Sequence, residues 1–557
     1  MRAFVLLLAL FATASFAADR PKLILQITVD QLRGDLPTRY YDRLGEGGFR
    51  YLWENGVVYR DAHHAHANTE TIVGHTTLAT GAHPSAHGMV ANLWFDRETG
   101  FTTYNVEDPD YRLLTAGADV DEGSEIDPTQ RAARSEGRSP AAILVSTFSD
   151  ELSANTAGKA RIIGVSVKDR GAISMAGHAG TAYWFSKSSG EFVTSSYYLD
   201  RYPSWVVAFN DARPAQAFAN SRWTLLRDRD EYLFGASDDR EWETDVAGFG
   251  RVFPHSFGDG SSPYFTTWLT LSPAGDRLVL DFAKQALVNE SLGRDAVTDY
   301  LSVSFSSTDY IGHVFGPSSL EAEDNILRLD RTLAELFGFV DEKVGLENTL
   351  IVLSADHGGP DAPGYLNALG MPAGYVDPES WDRQAAIDRV KARFGIEGDL
   401  ISSYDHPYLY LSEAARSGAI DREALESAIV EELMKFPGVA LAVSSSSLRR
   451  GNLPDTNLMR AVIRSFHPKR SGDIYIIFEP NWFINDFDGL TVAATHGSPW
   501  RYDTYVPIVF AGAGLTPQTV DRRVHTVDVA TTLSAILNIK PPSGAAGMVL
   551  SEVSDQW

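Results

Sequence analysis

Residues 23–30 read LILQITVD. Leu23 to Val29 is a short apolar run with β-branched content, and a carboxylate, Asp30, ends it. A run of this length reads as a buried strand rather than a helix. The same pattern recurs three times further along. Ile162–Val167 ends at Lys168-Asp169-Arg170, Tyr300–Phe305 is followed by Asp309, and Leu350–Leu353 is followed by Asp356-His357. Helical patterns lie between, as at Tyr40–Asn55 and Ala322–Val344. Strands alternating with helices predict an α/β fold, with a largely parallel, doubly wound central sheet flanked by helices. Ligands of such sheets bind outside the carboxyl ends of the strands. All four polar clusters sit at those ends.

Working outward, further strands are expected at Asp473–Phe478 and Val506–Phe510, and a last helix at Val527–Leu537. Residues 181–295 are irregular and aromatic-rich. Residues 374–471 are mixed, with a helix near Arg422–Lys435. Both are expected as insertions into one catalytic domain spanning 18–557. At the other end, Arg2, the apolar run Ala3–Phe16, and Ser15 and Ala17 before a cleavage point form a signal-peptide pattern over residues 1–17. That run is too short to span a bilayer, so a mature periplasmic or secreted chain without a membrane span is expected.

The chain has 557 residues, 44% hydrophobic and 22% charged, which suits a globular enzyme. Its 73 acidic against 48 basic residues give a net charge of −25, which repels nucleic-acid backbone and anionic membrane. A small anionic substrate remains allowed, because bound cations reverse the field locally. There are no cysteines, which excludes disulfides, thiolate metal sites and a lipoprotein anchor. Nothing marks an interface, so a monomer is expected.

Asp309 and His313 are four apart, so on a helix they share a face and can grip one ion, with Gly312 easing a close approach. Asp356-His357 with Gly358-Gly359, and His496 in a loop, add oxygen and imidazole donors of the kind that hold Zn, Mn or Fe. Taken singly, each has a bland reading as a hydrogen-bonded loop. The tract His63, His64 and His66 is a compositional hint only. Thr71 precedes an apolar helical stretch ending at Gly81 and can sit at its N-cap, where the free amides favour an anion. A Thr hydroxyl becomes a nucleophile when a metal lowers its pKa; Thr69 is the runner-up. Lys168 and Arg170, two apart on an expected strand extension, share a face and can meet the oxygens of a phosphoryl group.

The ordered motifs resemble the phosphate-irrepressible alkaline phosphatases, a zinc-dependent branch of the alkaline phosphatase superfamily related to the nucleotide pyrophosphatases/phosphodiesterases. They are Thr28-Val29-Asp30, Thr71 with Gly74-His75, Thr80-Gly81 and His87-Gly88, and Ala91-Asn92 with Trp94-Phe95-Asp96. They continue in Val167-Lys168-Asp169-Arg170-Gly171-Ala172, Thr308-Asp309 with Gly312-His313, Ala355-Asp356-His357-Gly358-Gly359, and Ala494-Thr495-His496-Gly497-Ser498. The resemblance implies two Zn2+ per chain. One would be held by Asp309, His313 and His496, the other by Asp30, Asp356, His357 and the Thr71 oxygen. It implies a covalent phosphothreonine at Thr71, hydrolysed by water, and an Asn92 amide on a phosphoryl oxygen. The Lys168–Arg170 pair marks monoesterases in the family, so small phosphate monoesters are the expected substrates. The alternatives are a phosphodiesterase of the same superfamily and an inactive zinc- or phosphate-binding protein. A sulfatase or a cofactor-independent phosphoglycerate mutase would need a different nucleophile.

Overall fold

The computed structural model describes residues 20–557 apart from 485, 488 and 489, with the backbone alone at 486–487. The expected signal peptide, 1–17, lies outside the described residues. Strand β1 (Leu23–Val29) is flanked by β6 (Asp299–Phe305) and β7 (Thr349–Ser354), both parallel to it, with Val29 opposite Phe305 and Thr28 opposite Ser354. Among the described residues the central sheet has nine strands. The others are β2 (Gly56–His63), β3 (Ile162–Ser166), β4 (Thr181–Ser186), β5 (Glu191–Val193), β12 (Ile508–Gly512) and β13 (Gln518–His525). Their order is β13-β2-β12-β7-β1-β6-β3-β4-β5. Pairing is parallel except around β12, which runs antiparallel to both neighbours, and between β4 and the edge strand β5.

The alternation along β1 shows why the sheet is covered twice. Leu23, Leu25, Ile27 and Val29 enter the core built with helices α4 (Pro273–Asn289) and α6 (Leu320–Lys343). Ile24 points the other way, into a core with Phe148 and with Val529 and Leu533 of α8 (Asp528–Ile536). Period-two alternation puts Gln26 on that second face, where its Oε1 accepts a hydrogen bond from the Tyr300 hydroxyl at 2.9 Å. Each fully buried aliphatic side chain contributes about 1.5–3 kcal/mol, so truncating Leu25 to Ala costs about 2–5 kcal/mol.

The structure corrects the sequence reading at two elements and places a third, expected strand in a separate sheet. Tyr40–Asn55 is not one helix. Three of the residues 45–48 are glycine, and the chain breaks there into a turn at Tyr41–Arg43 and helix α1 (Phe49–Asn55). The Asp330 carboxylate accepts from the Gly45 and Phe49 amides, and a Cβ on Gly48 would lie 2.2 Å from the Asp330 carbonyl. Within 181–295, β4 and β5 pair onto the central sheet and α4 packs in its core, so both ends of that stretch are core. Ile474–Phe478 (β11) joins a second, four-stranded antiparallel sheet with β8 (Ile401–Asp405), β9 (Tyr408–Leu411) and β10 (Val439–Ser444). Leu409, Ile474 and Ile476 pack under helix α7 (Arg422–Leu433), while Tyr408, Tyr475 and Ile477 pack against Met89, Val90 and Trp94.

Candidate active site

The strand ends converge as parallel register dictates. Asp30 follows β1 directly, and Asp309 lies in the first turn of α5 (Ser307–Phe315), just after β6. Asp356 lies two residues past β7, and Lys168 two residues past β3. Above them opens a cavity of about 290 Å³, lined by Thr71, Asn92, Arg170, Asp309, His313 and His496 among others. Asp30, Lys168, Asp356 and His357 are buried and do not reach its lining.

Three imidazoles are pinned in one tautomer by backbone carbonyls. Nδ1 of His313 donates to the Ala494 carbonyl at 2.8 Å, Nδ1 of His496 to Thr69 at 2.8 Å, and Nδ1 of His357 to Gly358 at 2.8 Å. A carbonyl only accepts, so each Nδ1 carries the proton and each Nε2 offers a lone pair. Those lone pairs meet carboxylate oxygens. His313 Nε2 is 3.2 Å and His496 Nε2 3.4 Å from Asp309 Oδ1, and His357 Nε2 is 3.4 Å from both Asp30 Oδ1 and Asp356 Oδ2. Asp30 Oδ1 and His357 Nε2 are buried without a hydrogen bond, Asp30 Oδ2 is met by the Lys168 ammonium at 2.8 Å, and Asp356 Oδ2 by His75 Nδ1 at 3.1 Å. Facing groups at such distances are joined by a shared proton or by a bound cation. Asp309, His313 and His496 form one group fit for a metal ion, and Asp30, Asp309 and His357 form a second. The donors are oxygen and imidazole, the set that suits zinc and its neighbours.

The electrostatics agree. Burial, with Asp309 and Asp356 adding to it, pushes the Asp30 carboxyl well above its usual range. Burial also raises Asp309, but His313 and Lys168 outweigh it and hold that carboxyl well below. Burial keeps His357 well below and His496 below the ordinary imidazole value. Asp309 overcomes burial at His313 and raises it. Lys168 lies 2.8 Å from Asp30 and also pairs with Asp309. Asp30, Asp309 and Asp356 crowd around one ammonium, and a bound divalent cation would relieve their mutual repulsion.

Helix α2 (Thr71–Thr80) is buried on every side, so its sequence carries no amphipathic stripe. Glu70 occupies the N-cap and Thr71 is the first helical residue, one step inside the expected position. The free Ile72 amide donates to the Asn92 side-chain oxygen at 3.1 Å, so Asn92 caps helix α2 from a separate segment of the chain. The Asn92 amide in turn donates to Glu70 Oε2 at 2.7 Å, and burial pushes the Glu70 carboxyl up to about 7. Thr69 donates its hydroxyl to the Ser498 carbonyl at 2.9 Å, whereas the Thr71 oxygen lies 3.5 Å from Arg170 Nη2 at the cavity.

Lys168 and Arg170 do not share a strand face. Strand β3 stops at Ser166, Lys168 is the N-cap of α3 (Asp169–Ala176), and Arg170 stands in its first turn. The early helix sends the ammonium to Asp30 and Asp309, and the guanidinium to Asp127 at 2.8 Å. Against burial, Asp127 raises Arg170 well above its usual value.

The sequence reading missed Asp127, Glu70 and Gln31, and placed His75 in a motif without giving it a role. Gln31 Nε2 donates to Asp309 Oδ1 at 3.0 Å, and a Cβ on Gly312 would lie 1.7 Å from the Gln31 side chain. His75 Nε2 contacts Ser304 Oγ at 2.9 Å, and its Nδ1 lies 3.1 Å from Asp356 Oδ2. Asp127-Pro128 signals only a helix cap, so nothing local pointed to its partner. His63 engages Asp61 and Thr504, and His64 the Ala355 carbonyl and Thr526.

Comparison with known proteins matches residues 24–499 to the type I phosphodiesterase/nucleotide pyrophosphatase family. The chain is 34% identical to "Calcium-transporting ATPase" of Myroides odoratus, over 98% of this chain and 96% of that one. It is also 34% identical to "Alkaline phosphatase PafA" of Elizabethkingia meningoseptica, over 96% and 95%. The crystal structure of a wild-type alkaline phosphatase PafA superposes with a TM-score of 0.86 at 33% identity, over 96% of this chain and 99% of that chain.

Proposed function

The chain belongs to the type I phosphodiesterase/nucleotide pyrophosphatase family, with the PafA-like alkaline phosphatases, and from that premise we propose how its site acts as a phosphoric monoester hydrolase. The reading rests on one observation: the Nε2 atoms of His313, His357 and His496 face the carboxylates of Asp30, Asp309 and Asp356, and Thr71 lines the same cavity as Asp309, His313 and His496.

We assign one zinc ion to Asp309, His313 and His496, and a second to Asp30, Asp356, His357 and the Thr71 oxygen. Bound there, the two ions supply Lewis acidity that lowers a hydroxyl pKa and offsets charge on a departing oxygen. The Thr71 oxygen forms the new P–O bond, the ester P–O bond breaks, and the leaving alcohol takes the bonding pair and a proton. Water then cleaves the phosphothreonine. The Asn92 side chain, held by the Ile72 amide, presents its NH2 to a phosphoryl oxygen. Arg170 offers a planar pair of donors, and Lys168 adds charge from below. A monoester dianion gains from both cations more than a diester monoanion does. We also place the mature chain, from about Ala18, in the periplasm or outside the cell as a monomer. The pattern over residues 1–17 supports export. Among the described residues no helix is long and apolar enough to cross a membrane.

The test compares turnover of an aryl phosphate monoester with the matching diester in the wild type and in Thr71→Ala. Monoester turnover should dominate, and Thr71→Ala should keep its metal while losing at least about a thousandfold in kcat. Full activity in that variant would remove Thr71 from the mechanism, and a clear diester preference would overturn the roles of Lys168 and Arg170.

A further inference from the structure

Phosphoryl chemistry needs polar donors, yet much of the cavity wall is apolar. Leu93, Ile126, Val314, Phe483, Leu490 and Val492 line it together with Thr71 and Arg170. They come from four separate places: the short strand Leu93–Asp96 after Asn92, the segment before Asp127, helix α5 beside His313, and the chain after β11. Neither metal binding nor phosphate binding accounts for apolar side chains converging there. Leu93, Ile126 and Leu490 remain partly exposed, so they keep apolar surface in water that a ligand would cover. Tyr404 adds a ring to the same wall, and aromatic faces favour offset or edge-on contact with another ring. The cavity volume, about 290 Å³, exceeds the roughly 150 Å³ in which an apolar cavity already admits benzene. Two carboxyl side chains, Glu70 and Asp405, also reach the lining, and neither offers a positive charge to a second anionic group on the substrate. Asp127 there is already matched by Arg170.

We propose that this wall is a leaving-group subsite, and that the monoesters the enzyme prefers carry a neutral, ring-sized aromatic group on the ester oxygen. The proposal rests on the phosphomonoesterase reading and adds the substrate class to it.

The experiment separates binding from chemistry. Competitive inhibition by phenylphosphonate and by methylphosphonate is measured on the metal-loaded full chain, with kcat/KM for phenyl phosphate and glycerol 2-phosphate. The wild type, Ile126→Ser and Leu490→Ser are compared. Leaving-group reactivity is the same in all three proteins and cancels from the comparison. Phenylphosphonate should bind the wild type about tenfold more tightly than methylphosphonate. Each substitution should shrink that preference about three- to tenfold and lower the phenyl-to-glycerol ratio alongside it. Leu490→Met should restore both, which separates subsite contacts from damage to the fold. Equal inhibition by the two phosphonates in the wild type, or ratios unchanged in both serine variants, overturns the subsite while leaving the phosphatase intact. Hydrolysis of neither ester overturns the phosphatase reading, and the subsite falls with it.

Discussion

Arg170 is held from one side by Asp127 at 2.8 Å and lies 3.5 Å from the Thr71 oxygen on the other. Asp127 touches no reacting atom in this arrangement and acts as a positioning residue. Asp127→Asn keeps the volume but loses the charge that fixes the guanidinium. It should lower monoester kcat/KM by about a hundredfold, the scale of a small misplacement of a binding group, and lower diester turnover much less. Equal loss on both substrates, measured side by side, would reduce Asp127 to a fold-stabilising residue. At this scale the sequence was half legible. The i, i+4 spacing of Asp309 and His313 names its own helix face, and α5 supplies that helix. Lys168-Asp169-Arg170 names nothing so definite, since the same tripeptide continues a strand or opens a helix. What decided it was Asp169 and Arg170 entering α3 directly after Lys168, and Asp127, distant in the chain, was invisible without the fold.

Helix α2 touches the Asp356 loop through a glycine. A Cβ on Gly74 would lie 1.8 Å from the Asp356 carbonyl oxygen, so Gly74→Ala must push helix α2, which carries Thr71, away from the Asp356 loop. Thermal unfolding and metal content should fall together, with a stability loss of at least about 1–3 kcal/mol. Gly338, exposed on helix α6, has open space around it. Gly338→Ala should instead stabilise the fold by about 0.5–1 kcal/mol, and denaturant titration of the two variants tests the contrast. A second element-scale effect concerns pH. Asp276, in the first turn of α4, accepts from the Ser307 amide at 3.0 Å at the start of α5, and burial pushes its carboxyl up to about 7. Its folded value lies above the unfolded value of about 3.9. The stability from its bound proton is therefore complete below about 3.9 and is lost as the pH rises through about 7. Asp276→Asn should flatten the melting-temperature profile between those limits, and an unchanged slope would contradict it. The four strands with polar ends were legible because buried parallel strands are short and apolar. The Tyr40–Asn55 break was written in Gly45, Gly47 and Gly48, while its anchor, the Asp330 carboxylate, arrives from α6.

Over the whole molecule, the site is a meeting of distant segments. The parallel core supplies Asp30, Lys168, Asp309 and Asp356 at one edge, the loop before β12 supplies His496, and the second sheet brings Tyr404 and His406 to the cavity wall. Composition could exclude thiolate chemistry but could not show that second sheet, because its strands lie among helical stretches and pair only with one another. The proposed metal sites would couple cation binding to the stability of the fold. A chelator should lower the melting temperature as well as abolish activity, and added zinc should restore both. Saturation at a thousand times the dissociation constant would contribute about 4 kcal/mol. The most direct measurement is anomalous diffraction at the zinc edge from crystals of the zinc-loaded protein. The account expects two peaks, one touching Asp309, His313 and His496, the other touching Asp30 and His357 within reach of the Thr71 oxygen. No peak among these side chains, or a single peak remote from Thr71, would contradict it.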